Sequence, residues 1–559
     1  MNRVVFFLLL TWASIAAAQK KSSPKPIAAQ SAAPKLVIAI IIDQFRFDYL
    51  DKFAEHYVPA TKTSGGFQRL LQNGALMTNA HYPYINTYTA PGHATFLTGV
   101  APERSGIVGN EWIDRSTNRT TYCVEDTTVQ AVGIEARGVA GQMSPKNCFV
   151  ETVCDRLKSF SPKSKVIGIA IKDRGAVLPA GKRADGAFWF DVASGNWISS
   201  TYYFKDGKLP TWVQDFNARK LPESYIGKSW TRLLPDTAYP MLDDVQGEST
   251  LLGEQRPVFP HTLVDISKLA DPRLKRSRKY DVIAPTPFGN DLTIAFAAAA
   301  IDAESLGKRG VTDILTVSFS SPDYCGHAFG PESQEQMDIL IRLDRQLDAF
   351  FQTIDKKVGF DNCIFILSAD HGVSPLPELH GGVRLFKKEF LDTLKSLVHK
   401  KYPDVVSNIE NDEILLDAAA VQKAGATQRD VERFVGESAK LLRGVVGYIT
   451  RSELLQEPLH PLSRMVKRCF HPSRSGDVKL ILSPYSFFAY AQTGTTHGTA
   501  YDYDTHVPIL FCGKGVRQGR YASAAFTIDT APTLHRLLGL PETDQYEGRA
   551  LLEIFTRAL

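Results

Sequence analysis

Short apolar, largely β-branched runs punctuate the chain, and most of them stop at a polar cluster. "LVIAIIID" ends at Asp43, "KVIGIAIKDRG" at Lys172 and Arg174, "DILTVSFSSPDYCGH" at Asp323 and His327, and "CIFILSADHG" at Asp370 and His371. "VPILFCGKG", from Val507, is a similar run. Continuous apolar runs of this length are what strands buried on both faces require. Between them lie segments with a helical repeat. In "SQEQMDILIRLDRQLDAFFQTIDKK" the residues Met337, Leu340, Ile341, Leu347, Phe351 and Ile354 share one stripe, and "GNDLTIAFAAAAIDAESLG" is a second such segment. Alternation of apolar strand and amphipathic helix predicts an α/β fold: a mainly parallel central sheet flanked by helices. In such sheets function gathers beyond the carboxyl ends of the strands, where these polar clusters fall.

Two stretches break the pattern. Residues 179–285 are rich in Trp, Tyr, Pro and Lys and carry hairpin punctuation such as Asp206-Gly207, which predicts an insertion beside the active site. Residues 380–490 predict a cap insertion with amphipathic helices near 387–400 and 428–443 and a strand near 477–483. The core is then divided into 35–178, 286–379 and 491–559. Long insertions between sheet strands often roof a site.

The start of the chain, "MNRVVFFLLLTWASIAAAQ", has one Arg, an apolar run from Val4 and the small residues Ala16 to Ala18. It predicts a secretory signal over 1–18, followed by a Pro/Ser/Ala/Lys linker over 19–34, and so an exported protein, periplasmic or secreted. No later segment has the ~20 apolar residues of a membrane helix. With 64 basic against 60 acidic residues the charge is too balanced to point to a nucleic-acid partner. None of the seven cysteines shows C-x-x-C spacing, which argues against a thiolate metal site, and an odd number leaves at least one unpaired within the chain.

The strand-end clusters hold a chemically coherent set. Asp43, Asp323 and Asp370 supply carboxylates. His327 is four residues after Asp323, one helical turn on; His371 adjoins Asp370; His497 stands alone in the small-residue loop "TGTTHGT". Imidazole with carboxylate suits zinc and similar divalent ions, and six such ligands divide naturally into two sites of three, each with an open position. The segment "NTYTAPGHATFLTG" adds four threonines, at 87, 89, 95 and 98, around Pro91-Gly92. Threonines there are ordinarily turn or cap residues.

Seven motifs occur in order: "DQFRFDYL", "TYTAPGHATFLTG", "SGIVGN", "KDRGAVLPAG", "SPDYCGHAFGP", "SADHGVSPLP" and "TGTTHGT". Together the chain resembles the PafA-type, phosphate-irrepressible alkaline phosphatases of the alkaline phosphatase superfamily. The resemblance implies two zinc ions per chain, a threonine nucleophile and hydrolysis of small-molecule phosphate monoesters. It assigns one zinc to Asp43, Asp370 and His371 and the other to Asp323, His327 and His497. It makes Thr89 the nucleophile, and Asn110, Lys172 and Arg174 the groups that hold the phosphoryl oxygens. Ser105 of "SGIVGN" departs from the family pattern, where a histidine is expected. The implied protein is a monomer with no transmembrane anchor once the signal is removed.

Physical chemistry fits these roles. Pro91 and Gly92 mark a helix start, and a helix N-terminus presents amides to an anionic phosphate. Cations aimed at the non-bridging oxygens favour a monoester dianion over a diester. Strand alternation is expected to place Lys172 and Arg174 on one face, with Asp173 on the other. Two other readings remain: a superfamily phosphodiesterase or nucleotide pyrophosphatase sharing the metal set, and a non-catalytic metal- or phosphate-binding protein. A sulfatase reading needs a Cys- or Ser-x-Pro-x-Arg motif that the chain lacks at this position.

Overall fold

The architecture follows from a computed structural model, which describes residues 33–135, 139–271, 274–458 and 460–556. The expected signal and nearly all of the expected linker lie outside the described residues. At the centre runs the strand Leu36–Ile42, buried along its whole length. Its side chains alternate between two apolar layers: Leu36, Ile38, Ile40 and Ile42 join one, and Val37, Ala39 and Ile41 the other. A strand with helices over both faces has no polar side, which is why its sequence reads as an unbroken apolar run.

Among the described residues the main sheet has ten strands. In spatial order they are Gly519–Tyr521, Gly74–Met77, Ile509–Gly513, Cys363–Ser368, Leu36–Ile42, Asp313–Phe319, Val166–Ala170, Gly186–Asp191, Asn196–Ser200 and Ala131–Val132. The five from Cys363–Ser368 to Gly186–Asp191 are mutually parallel; antiparallel pairs lie on both sides of them, so the sheet as a whole is mixed.

Register places the chemistry. Ile42 pairs with Phe319, Ile41 with Ser368 and Ser318 with Ala170. The residues that follow those positions therefore emerge side by side at one edge of the sheet: Asp43, the helix Ser321–Phe329, Lys172, and Asp370 with His371. The strand Ile509–Gly513 runs the other way, with Ile509 opposite Ser368, so the loop before it, carrying His497, enters from the same edge.

Two expectations are corrected. Residues 179–285 are not wholly an insertion: Gly186–Asp191 and Asn196–Ser200 extend the main sheet, because the aromatic run Phe188, Trp189 and Phe190 is buried on both faces like the other strands. The strand before the "KDRG" cluster ends at Ala170, and Asp173–Ala180 is a helix with Lys172 at its N-cap. Lys172 and Arg174 are therefore not neighbours on a strand face. The chain turns there because Lys172 O accepts the first helical bonds, from Gly175 N and Ala176 N. The 380–490 segment contains the two expected helices, Lys387–His399 and Gln428–Ala439, and the expected strand, Val478–Leu482, which joins a four-stranded antiparallel sheet of its own. The other strands of that sheet, Val406–Glu410, Glu413–Leu416 and Val445–Thr450, have four to six residues each, too short for a clear two-residue repeat. No described helix is long and apolar enough to cross a membrane. All seven cysteines are buried and unpaired.

The helix Pro287–Ala303 fastens the sheet's far side through Phe296. This ring stacks on Trp197 at 4.3 Å between centroids and meets Phe216 and Trp212 at 5.0 Å each. Phe296→Ala removes the ring about which the others pack, so it should lower unfolding stability by about 3–5 kcal/mol. A denaturant midpoint within error of the parent would show that this cluster does not hold the helix to the sheet.

Candidate active site

The site begins as an electrostatic problem. Asp43, Asp323 and Asp370 are each at most 2% exposed, and they crowd the end of the sheet. One cation lies among them: Lys172 Nζ is 2.6 Å from Asp43 Oδ2 and 2.5 Å from Asp323 Oδ2. Burial pushes the Asp43 carboxyl well above its usual range, and the neighbouring Asp323 and Asp370 charges add to this against the opposing Lys172. Burial likewise lifts Asp370 to about 6. Asp323 is held well below the usual range: burial acts against its charge, but His327 and Lys172 outweigh it. The Lys172 cation is retained for the matching reason, since Asp323 and Asp43 overcome the cost of burying it.

Three imidazoles face these carboxylates, and each is pinned through Nδ1. His371 Nδ1 donates to Gly372 O at 2.8 Å, His327 Nδ1 to Thr495 O at 2.7 Å and His497 Nδ1 to Thr87 O at 2.7 Å. A carbonyl only accepts, so the proton is on Nδ1 and Nε2 is turned into the site. His371 Nε2 lies 3.4 Å from Asp370 Oδ2 and 3.6 Å from Asp43 Oδ1. His327 Nε2 and His497 Nε2 lie 3.2 and 3.8 Å from Asp323 Oδ1. Burial keeps His371 and His497 neutral, the latter pushed down to about 3, while Asp323 raises His327 against the effect of burial.

The ligand atoms fall into two groups, Asp43, Asp370 and His371 in one and Asp323, His327 and His497 in the other, each spanning no more than 4.8 Å. In the first group lone pairs face lone pairs, and neither Asp43 oxygen nor Asp370 Oδ2 has a hydrogen bond. The contact of Lys172 with Asp43 Oδ2 is an ion pair without hydrogen-bond geometry. Buried acceptors converging in this way fit metal cations, with the pinned Nδ1 positions fixing ligand direction.

Above the first group sits Thr89, which opens the helix Thr89–Thr98. Its Oγ1 is 3.4 Å from His371 Nε2 and 3.5 Å from Arg174 Nη2. The helix can approach closely because position 92 is glycine: a Cβ there would meet Asp370 O at 2.1 Å. Asn110 Oδ1 accepts from Ala90 N at 2.8 Å, which leaves the Asn110 amide hydrogens as donors beside the helix N-terminus. Thr87, Thr95 and Thr98 serve structure: Thr87 Oγ1 donates to Thr499 O, Thr95 Oγ1 to Val100 O and Thr98 Oγ1 to Ala94 O. Ser105 is buried at the end of a short helix, where its Oγ accepts from Ile107 N.

Several residues around the site carry no sequence signal of their own. His93 is fully buried, with Nδ1 at 2.9 Å from Thr89 O and 3.1 Å from Asp370 Oδ2, and Nε2 at 2.8 Å from Ser318 Oγ. Tyr122, on the hairpin Glu111–Asp114/Arg119–Tyr122, accepts from Arg174 Nη1 at 3.0 Å and donates to Asp173. Gln44 touches one carboxylate of each group, through its backbone N–H to Asp370 Oδ1 (3.1 Å) and its amide to Asp323 Oδ1 (2.9 Å). It does so from a left-handed backbone, φ 66°, a strain that buried functional residues tolerate. Asp504 Oδ2 receives Gly498 N and Thr499 N, which ties down the loop of His497. Position 44 adjoins a candidate ligand; for Tyr122 and Asp504 only tertiary structure reveals the contact.

Comparison with known proteins agrees with this geometry. Residues 37–506 match the family model for type I phosphodiesterase / nucleotide pyrophosphatase. The chain is 36% identical to alkaline phosphatase PafA of Elizabethkingia meningoseptica over 94% of this chain and 95% of the relative. It is 36% identical to alkaline phosphatase PhoV of Synechococcus elongatus over 98% of each. The crystal structure of wild-type PafA superposes with a TM-score of 0.86, covering 94% of this chain and 99% of that one, and a solved variant of PafA carries substitutions of a threonine, an asparagine, a lysine and an arginine. The chain belongs to the PafA-type alkaline phosphatases, within the type I phosphodiesterase / nucleotide pyrophosphatase family.

Proposed function

We propose that the protein is an exported, two-zinc alkaline phosphatase that hydrolyses small-molecule phosphate monoesters through a phosphothreonine at Thr89. The observation that carries this reading is the setting of Thr89 Oγ1, between His371 Nε2 at 3.4 Å and the Arg174 guanidinium at 3.5 Å, at a helix N-terminus. The four residue types substituted in the PafA variant are spaced along that chain as Thr89, Asn110, Lys172 and Arg174 are along this one, which supports their roles.

Asp43, Asp370 and His371 would hold one ion and Asp323, His327 and His497 the other. Bound there, zinc supplies Lewis acidity that lowers the pKa of a coordinated oxygen and stabilises charge on the attacking and leaving oxygens. The chain itself does the rest. Arg174 and Asn110 hold non-bridging phosphoryl oxygens and orient phosphorus over Thr89 Oγ. Thr89 Oγ forms a bond to phosphorus as the ester P–O bond breaks, and the alcohol departs with a proton. Water then attacks the phosphothreonine, its P–Oγ bond breaks, and inorganic phosphate and the free hydroxyl are released. His93 and Gly92 fix the Thr89 turn against Asp370, so the nucleophile does not have to be ordered in the transition state.

The type I phosphodiesterase match favours a second reading, in which the substrate is a diester. Lys172 and Arg174 weigh against it, because a diester offers one fewer charged non-bridging oxygen to these cations. Export is supported by the amino-terminal sequence pattern and by the lack of a membrane-spanning helix among the described residues.

Thr89→Ala should abolish most monoesterase activity while zinc content stays at the parent value; near-normal turnover in steady-state assays would remove the nucleophile. Arg174→Ala should lower kcat/KM for monoesters by roughly 100- to 1,000-fold and for diesters far less. An equal loss on both substrates would undo the monoester argument. Prolonged chelation should inactivate the enzyme and zinc should restore it, and full activity in dialysed, metal-free protein would count against both ion sites.

A further inference from the structure

The cap's four-stranded sheet meets the segment that carries Asn110 at the turn Asn411–Asp412, between strands Val406–Glu410 and Glu413–Leu416. Both turn residues have left-handed backbone, φ 51° and 58°, as a two-residue hairpin turn requires. Asparagine and aspartate are the side-chain-bearing residues best suited to that conformation, so the turn presents functional groups where glycine would present none.

These groups grip the segment that carries Asn110. Asn411 Nδ2 donates to Glu111 O at 2.7 Å, and the Asn411 side chain lies so close to Gly109 that a Cβ there would meet it at 2.5 Å. Behind the turn, Lys479 of the cap strand Val478–Leu482 is only 3% exposed. Its Nζ donates to Asn411 O at 2.6 Å and to Asn86 Oδ1 at 2.9 Å. Asn86 in turn donates through Nδ2 to Val108 O at 2.8 Å. The peptide carbonyls at 108 and 111, on either side of Gly109-Asn110, are thus both tied to the cap, one directly and one through Asn86. Asn110 Oδ1 then receives the Ala90 amide, next to Thr89.

We propose that Asn411, with Lys479 behind it, is a positioning residue that sets Asn110 against the nucleophile helix, so that the cap is part of the phosphoryl-binding apparatus. This rests on the reading that Asn110 holds a phosphoryl oxygen. The physical reason is leverage: Gly109 gives the loop backbone freedom, and an amide free to drift by about 1 Å costs a transition state on the order of 100-fold. Neither main-sheet strand nor helix contains residues 108–110. Besides the backbone bonds from Cys123 N to Asn110 O and from Val108 N to Gly106 O, these contacts and the bond to Ala90 restrain them.

Two variants test it. Asn411→Gly removes the amide while suiting the left-handed turn, and Asn411→Asp keeps the size but replaces the donor with an acceptor facing Glu111 O. Each should lower kcat/KM for p-nitrophenyl phosphate by about tenfold with zinc content unchanged. In an Asn110→Ala background the same changes should cost less than about twofold, because there is no longer an amide to position. A tenfold loss that persists in that background, or wild-type turnover in Asn411→Asp, overturns the inference. A second readout is independent of activity. Hydrogen exchange of the Ala90 amide, bonded to Asn110, should speed up in Asn411→Gly relative to amides in the central strands, and unchanged protection overturns the inference. If Ala90 exchange rises but Asn110→Ala leaves turnover intact, the positioning stands and the phosphoryl-binding role of Asn110 falls.

Discussion

The structure turns on buried negative charge. Three aspartates end up together at the carboxyl edge of one sheet because parallel register gives the chain no choice about where the strand ends fall. Burying one ionised carboxylate costs several kcal/mol even after relaxation, and Lys172 contacts only two of the three. The raised pKa of Asp43 and of Asp370 follows: burial and the neighbouring carboxylates outweigh the one ammonium, and the charged forms are disfavoured. Divalent ions held by the two groups would remove the conflict, and their binding would then add to the stability of the fold.

Like charges alone would drive the carboxylates apart; the surrounding geometry holds the groups together and aims them. The three pinned imidazoles show how. Each Nδ1 is held by a main-chain carbonyl from a different segment: Gly372 for His371, Thr495 for His327 and Thr87 for His497. The last of these is informative, since Thr87 lies two residues before the nucleophile candidate. One hydrogen bond therefore couples a ligand of the second group to the loop presenting Thr89. Asp504 and Gln44 extend the same logic outward, one fixing the His497 loop and the other bridging Asp370 and Asp323. The site is rigid because its restraints are distributed over segments far apart in sequence.

What the sequence disclosed follows from this arrangement. Strand ends were legible because strands buried on both faces have unbroken apolar sequences, and the polar residue that ends such a run is conspicuous. The α/β class followed from the same runs. For Lys172 and Arg174 the strand periodicity misleads: the turn from strand to helix at Ile171 is set by hydrogen bonds to Lys172 O, which periodicity does not report. The strands at 186–200 were hidden by aromatic composition that resembles a surface hairpin until Phe296 is seen packed against Trp197. Tyr122 had no signature, since its only distinction is that its hydroxyl meets Arg174 across a gap of 52 positions.

The different environments of the two cations bear on how a monoester would be recognised. Arg174 faces Thr89 with one arm and Tyr122 with the other, and Asp173 holds Tyr122 in place, so the guanidinium is braced from behind and presented forward. Lys172 is engaged by two carboxylates that are themselves candidate metal ligands. Without metal, its charge is spent on Asp43 and Asp323. Divalent ions held by the same two carboxylates, whose Oδ1 atoms face the imidazoles, would draw on their negative charge and leave the Lys172 ammonium less fully compensated. Lys172 would then act twice, first holding the carboxylates together and later attracting the dianion, while Arg174 does the second job throughout. Under the proposed function, selectivity for a dianionic group would depend on the metal sites as well as on the cations, because the aspartates would determine how much of the Lys172 charge a substrate feels.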